Sequence, residues 1–224
     1  MKMTSLNYWW RKRDATVQVL LASVGFSIAL LVFRIAYSGS LALLFLAWNG
    51  FLALLPWALG RVLRRRVDWI ERPFPFYALF LGWLLFLPNT FYITTDLLHL
   101  RPRPGIPVWF DLVLLFSFAW NGLLLGMLTL RDMEAVAMAR WGLRKGLLFS
   151  IPVLALSGLG VFIGRYWRYN SWDVLTAPGG LLRDLAGLLL HPVHNRFDWS
   201  MIICFTGLLV LLYASLRRLA ASFS

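Results

Sequence analysis

Three short stretches of this sequence gather side chains of the kind that bind ligands or move protons. The first is Leu87-Pro88-Asn89-Thr90-Phe91-Tyr92-Ile93-Thr94-Thr95-Asp96-Leu97-Leu98-His99. Pro88 lacks an N–H and so releases a backbone carbonyl one turn earlier. Asn89 sits beside that break. Asp96 and His99 are three residues apart. On a helix they share a face, where a carboxylate and an imidazole can hydrogen-bond, hold one ion, or act as an oriented base.

The second stretch is Gly164-Arg165-Tyr166-Trp167-Arg168-Tyr169-Asn170-Ser171-Trp172-Asp173. A belt of interfacial aromatics with snorkelling arginines accounts for Tyr166, Trp167 and Trp172. It does not account for Arg165, Asn170 and Asp173 in one run. Arg165 offers a planar fork for a carboxylate or a phosphate, either Asp173 or a lipid headgroup. The third stretch is His191-Pro192-Val193-His194-Asn195-Arg196-Phe197-Asp198. His191 and His194 with His99 and one Asp have the donor types of a tetrahedral zinc set. Interfacial histidines are more often solvated, and neither HExxH nor a paired-cysteine motif is present, so no metal is assigned and the cofactor is left unknown. Cys204 is the single cysteine, which rules out an intrachain disulfide and a cysteine-based metal site.

Asp111 stands one turn inside a long apolar run, and Arg34 stands at a similar depth in another. An ion pair between them and a functional role for Asp111 are both open readings, since charges within a membrane need partners and often mark sites. The candidate ligand-binding residues are thus Asn89, Tyr92, Asp96, Asp111, Arg165, Asn170, Trp172 and Asp173. Asp96, His99 and Asp173 are the candidates for catalysis.

These residues must be positioned by membrane-spanning helices. The chain of 224 residues is 60% hydrophobic and 14% charged, with a mean hydropathy of +0.70. Soluble domains run near 45–50% apolar and about 25% charged. In hydrocarbon every backbone polar group needs an internal partner, so only helices or a closed barrel can span. The apolar runs are long and continuous, which excludes a barrel of alternating ten-residue strands. The expected fold is all-α and polytopic, with six spans at residues 15–35, 41–59, 75–93, 108–130, 146–164 and 199–216. The first run exceeds the 7–15 apolar residues of a cleaved signal peptide. Residues 1–14 form a basic and aromatic segment, 15–216 a single transmembrane domain and 217–224 a tail.

The net charge of +12 would suggest nucleic acid in a soluble protein. Here it follows the positive-inside rule. Fifteen of the 22 Lys and Arg fall before the first span, in the second-to-third and fourth-to-fifth connections, and after the last span. Both termini are therefore expected in the cytoplasm, with anionic lipid as a partner at that face and no nucleic acid. The expected location is the inner or plasma membrane. A second copy or another membrane protein remains an open partner. The stretch 178–190 in the long last connection is apolar but only about 20 Å long as a helix, too short to span. Pro178 suits a first helical turn, and an interfacial or re-entrant helix is expected. Ala47-Trp48-Asn49-Gly50 recurs as Ala119-Trp120-Asn121-Gly122. The flanks do not align at that offset, so coincidence or a shared packing motif is preferred to a duplication. Both asparagines suit interhelical hydrogen bonding, and the Gly122/Gly126 and Gly160/Gly164 pairs suit close helix contact.

At these residues the chain resembles a signature of bacterial membrane proteins grouped as domain of unknown function 1361. The resemblance rests on the 87–100 stretch, on Trp109-Phe110-Asp111 with Phe118-Ala119-Trp120-Asn121-Gly122, and on the 164–173 stretch, and it covers the chain from about the second span to the sixth. Where the family's pattern often has Ala-Pro, this chain has Thr90-Phe91, while Pro88 and Asn89 match. The resemblance implies a multi-span inner-membrane protein and supplies no activity, substrate or cofactor. Three functions stay open. One is a transporter or binding protein with an outward-facing polar site, which the Pro-broken third span favours slightly. Another is a membrane-embedded enzyme using His/Asp chemistry on a lipid-linked or extracytoplasmic substrate. The last is a scaffold or assembly subunit.

Overall fold

The computed structural model describes residues 3–66, 69, 72–142 and 146–222, with side chains from residue 16 onward apart from residue 221. Lys2, Arg144 and Lys145, and the side chains of Trp9, Trp10, Arg11, Lys12 and Arg13, lie outside the described residues.

Among the described residues eight α-helices follow in order: α1 (Met3–Ser38), α2 (Phe45–Arg65), α3 (Pro73–Tyr92), α4 (Val108–Trp141), α5 (Leu147–Phe162), α6 (Asp173–Thr176), α7 (Pro178–Leu190) and α8 (Arg196–Ser222). A 3₁₀ helix (Ile93–His99) extends α3, and a π-helical turn (Ile163–Trp167) extends α5. Six of these helical stretches are long and apolar enough to cross a membrane. Among the described residues there is no strand, only an isolated bridge between Arg103 and Ile106. The chain is an all-α polytopic membrane protein.

The helices stop where the local chemistry says they should. Gly142 takes a left-handed φ of +63° immediately after α4, a backbone state that costs glycine nothing and other residues about 1 kcal/mol or more. Pro73 opens α3, where its missing N–H has no intrahelical partner to lose. The helix over 178–190 matches the short apolar stretch read from the sequence.

Two helices run beyond the apolar stretches read from the sequence. Helix α2 runs on through Arg61, Arg64 and Arg65, and α4 runs eleven residues past its apolar run to Trp141. Arg131, Asp132, Glu134 and Arg140 are therefore on a helix and not in a connection. Beyond the apolar run, α4 also carries Asp132 and Glu134.

The described residues pack as two compact units, residues 1–51 with 93–124 and residues 52–92 with 125–224. In the first, Leu31, Leu43, Leu46, Leu114, Leu115 and Phe118 are buried. In the second, α5 packs on α3 and α8, around Trp83, Phe91, Phe162 and Leu209. One glycine allows the approach of α5 to α3, and another that of α4 to α3. A Cβ at Gly160 would stand 2.6 Å from Cγ of Pro88, and one at Gly126 would stand 2.5 Å from the Phe91 ring. Without a hydrophobic driving force between helices in lipid, such close van der Waals contact is what holds them. Many large apolar side chains stay exposed, including Val19, Phe26, Phe33, Phe116, Leu148, Leu182 and Leu211, as a lipid-facing surface requires.

Candidate functional site

The first unit contains a connected series of polar side chains. Arg34, one turn from the end of α1, donates from Nε to Asp111 Oδ1 at 2.7 Å and from Nη2 to Oδ2 at 3.4 Å. Its Nη1 donates to the Ser38 hydroxyl. Arg103, in the turn before α4, donates from Nη1 to Asp111 Oδ2 at 2.6 Å. Both carboxylate oxygens are thus bound to guanidinium groups. The ion pair with Arg34 that the sequence left open is present, and Arg103 is an added partner. Arg103 also reaches back from Nη2 to the carbonyl of His99 at 3.5 Å.

That carbonyl leads to the second carboxylate. Asp96 Oδ2 accepts from Asn49 Nδ2 of α2 at 2.7 Å. His99 Nδ1 lies 3.8 Å from Asp96 Oδ1 and 3.3 Å from the Asp96 carbonyl oxygen. The 3₁₀ winding is the cause. At three residues per turn, positions i and i+3 eclipse, so the imidazole stands over the carboxylate that precedes it. The His99 ring also packs on Phe45, with centroids 4.8 Å apart. Asp96 and Asp111 are each 1% exposed, whereas the His99 side chain is 37% exposed. Asp96 is therefore buried beside an accessible imidazole, and Asp111 is buried against two guanidinium groups.

Deeper along the same helices, Asn121 of α4 donates from Nδ2 to the Ser27 hydroxyl at 2.8 Å and to the Ser23 carbonyl at 3.2 Å. The two asparagines of the repeated Ala-Trp-Asn-Gly each bridge helices, but to unlike partners, as a packing motif would.

The second unit holds the other candidates. Asn89 donates from Nδ2 to the Phe86 carbonyl at 3.0 Å and to the Ser171 hydroxyl at 2.9 Å. Ser171 in turn donates to the Leu85 carbonyl at 3.2 Å. The helix disturbed by Pro88 is thus tied to the segment after α5, and this accounts for Asn89 structurally. Tyr92 packs its ring 3.3 Å from where a Cβ at Gly164 would stand. Arg165 is half-buried inside the π-helical turn, and Arg168 just after it has a left-handed φ of 61°. Asp173 Oδ2 accepts from the Asn170 backbone N–H at 2.6 Å and Oδ1 accepts from the Thr176 hydroxyl at 3.0 Å. The Asn170 bond, opposed by some desolvation and aided by Thr176 and the Asn170 side chain, holds the Asp173 carboxyl below the ordinary carboxylate range. Tyr169 donates to Asp184 Oδ2 of α7 at 2.9 Å, which raises the phenol above its usual range because a phenolate would lose that bond and face the carboxylate. Trp172 is exposed, as are His191 and His194. Among the described residues no group of three or more His, Cys, Asp and Glu side chains is placed to hold a metal ion. The set of His99, His191 and His194 has no counterpart there.

Sequence reasoning missed a third cluster. Glu134 Oε2 accepts from the Ser150 hydroxyl at 2.5 Å and the Tyr213 hydroxyl at 2.7 Å, and Oε1 accepts from Arg217 Nη1 at 2.7 Å. It joins α4, α5 and α8 and is largely buried. Asn49, Arg103 and Ser171 were also not singled out as site residues. Asn49 was visible only through the repeated motif, and Arg103 only as a surface charge.

A family model described as "Protein of unknown function (DUF1361)" matches residues 48–212. No curated protein and no solved structure matches the chain.

Proposed function

The chain belongs to the DUF1361 family, whose description assigns no activity, and we propose that this integral membrane protein binds a small polar ligand at the Asn49–Asp96–His99 cluster. The observation that carries this is the pairing of a carboxylate at 1% exposure with an accessible imidazole. Burying an ionisable group at membrane depth is costly, and such groups commonly mark ligand or proton pathways. Arg34 and Arg103 balance Asp111 and Asp96 in formal charge. That balance suits a ligand with a hydrogen-bond donor for Asp96 and an anionic or acceptor edge toward Arg103. Arg34–Asp111 would serve as the fixed wall of the site.

The charge distribution supports a site facing away from the cytoplasm, with both termini inside and the chain in the inner or plasma membrane. Reporter fusions to the two ends test that orientation. Asn89, Tyr92, Arg165, Asn170, Trp172 and Asp173 extend the proposal to the second unit as residues for mutational screening. Binding itself is tested on purified protein by thermal unfolding against a panel of small amines, zwitterions and carboxylates. A ligand at one hundred times its Kd adds about 2.7 kcal/mol to stability. At least one probe should stabilise the wild type and leave Asp96→Asn and His99→Gln unchanged. If no probe separates wild type from the two variants, the reading falls.

A second reading is favoured by the same dyad. An imidazole beside a buried carboxylate is the arrangement of an oriented general base. Turnover of a lipid-linked or extracytoplasmic substrate that both variants abolish would move the proposal from binding to catalysis.

A further inference from the structure

In the second unit, the acidic side chains near the end of α4 are already committed. Asp132 pairs with Arg64, and Glu134 is taken by Arg217, Tyr213 and Ser150. Arg140, in the last turn of the same helix, is left out. Its Nε is buried and has no hydrogen-bond partner. Its guanidinium carbon lies 5.7 Å from the centroid of the Phe76 ring. Among the described residues no carboxylate or carbonyl accepts from that Nε. A guanidinium is never neutral, and its five N–H groups must be met.

The surface beneath it is a rigid aromatic shelf. Phe76 is fully buried. Its ring meets Trp141 edge-on at 5.7 Å and 86° and stacks on Phe80 at 5.8 Å and 6°. Trp141 also contacts Phe149 at 6.1 Å. At this distance the ring face attracts the guanidinium and restricts where its fork can go. Depth agrees. Arg140 lies 32 residues beyond Val108 on one continuous helix, about 48 Å at 1.5 Å per residue. With a typical tilt of about 20° this is about 45 Å, the thickness of a bilayer with its headgroups.

We propose that Arg140, seated on Phe76 beside Trp141, binds a phosphate group, supplied by an anionic phospholipid headgroup or by the free ion. The terminal guanidinium nitrogens of this half-buried side chain match two phosphate oxygens. The site is separate from the Asn49–Asp96–His99 cluster, and its test does not depend on that reading.

The test uses the full chain in mild detergent, with native mass spectrometry after addition of equal amounts of phosphatidylglycerol and phosphatidylcholine. Arg140→Gln is compared with Arg131→Gln, an exposed arginine of the same helix, and with Arg140→Lys. Circular dichroism and gel filtration check that each variant is folded. Wild type and Arg131→Gln should retain phosphatidylglycerol over phosphatidylcholine. Arg140→Gln should lose about five-fold in that preference, the equilibrium equivalent of about 1 kcal/mol per basic residue at an anionic surface. Arg140→Lys should fall between, because it keeps the charge and loses the fork. A competition arm adds inorganic phosphate. If the ion displaces the lipid in an Arg140-dependent way, the phosphate alone suffices. If it does not, the lipid headgroup is the ligand. An unchanged preference in Arg140→Gln, an equal loss in Arg131→Gln, or no preference in the wild type overturns the proposal.

Discussion

Replacing Asp111 by Asn keeps the side chain's shape and removes its charge. The effect follows from who is left behind. Arg103 is 24% exposed and can turn toward solvent, while Arg34 is 3% exposed and cannot. Arg34 would keep only a hydroxyl contact to Ser38 and a neutral amide in place of a carboxylate. Removing one member of a buried ion pair costs about 3–5 kcal/mol, chiefly because the other charge stays buried without compensation. That is roughly two to three and a half orders of magnitude in the unfolding equilibrium at 1.4 kcal/mol per tenfold. The double variant Arg34→Met/Asp111→Leu removes both charges and should lie within about 1 kcal/mol of wild type or above it, since well-packed apolar replacements of buried pairs are commonly neutral or stabilising. Asn121→Ala, on the same pair of helices, sets the scale for a neutral hydrogen bond and should cost about 0.6 kcal/mol. Reversible unfolding in bicelles by titrated dodecyl sulfate measures all three. An Asp111→Asn loss no larger than that of Asn121→Ala, or a double variant as unstable as the single one, would refute the reasoning.

Gly160→Val should destabilise by about 1–3 kcal/mol, because the added atoms meet the Pro88 ring and overpacked cores relax only partly; the same unfolding titration reads it. Asp173 gives a pH dependence with a definite sign. Its pKa lies below the ordinary 3.8 when folded, so its stabilisation is present above about that pH and is lost as pH falls through the depressed value. Hydrogen exchange at the Asn170 amide, compared between wild type and Asp173→Asn, should show the protection missing in the variant at neutral pH and converging with wild type in acid.

The six spans were legible because length and continuous hydropathy are decided within each segment. So was the helix at 178–190, which has its own start signal in Pro178. The Asp96–His99 relation was also local, three residues apart, although its 3₁₀ winding was not foreseen. Glu134 was invisible for a physical reason. The ten residues after Leu130 are charged enough to read as a connection, and only contact with Tyr213, Ser150 and Arg217 makes them a buried helix end. Arg103 and Ser171 share that difficulty. Their partners lie 8 and 82 residues away, and nothing in their own neighbourhood names them.

The tie between Ser171 and the break in α3 has a consequence for the order of assembly. Leu85 and Ser171 are 86 residues apart. At about 5–20 residues per second of synthesis, roughly 4–17 s pass between the emergence of one and the other. During that interval the carbonyl of Leu85 and the amide of Asn89 have no access to the hydroxyl that later joins them. The tie from Ser171 to α3 can therefore form only after α5 and the segment that follows it have been made, which places this contact late in the assembly of the second unit.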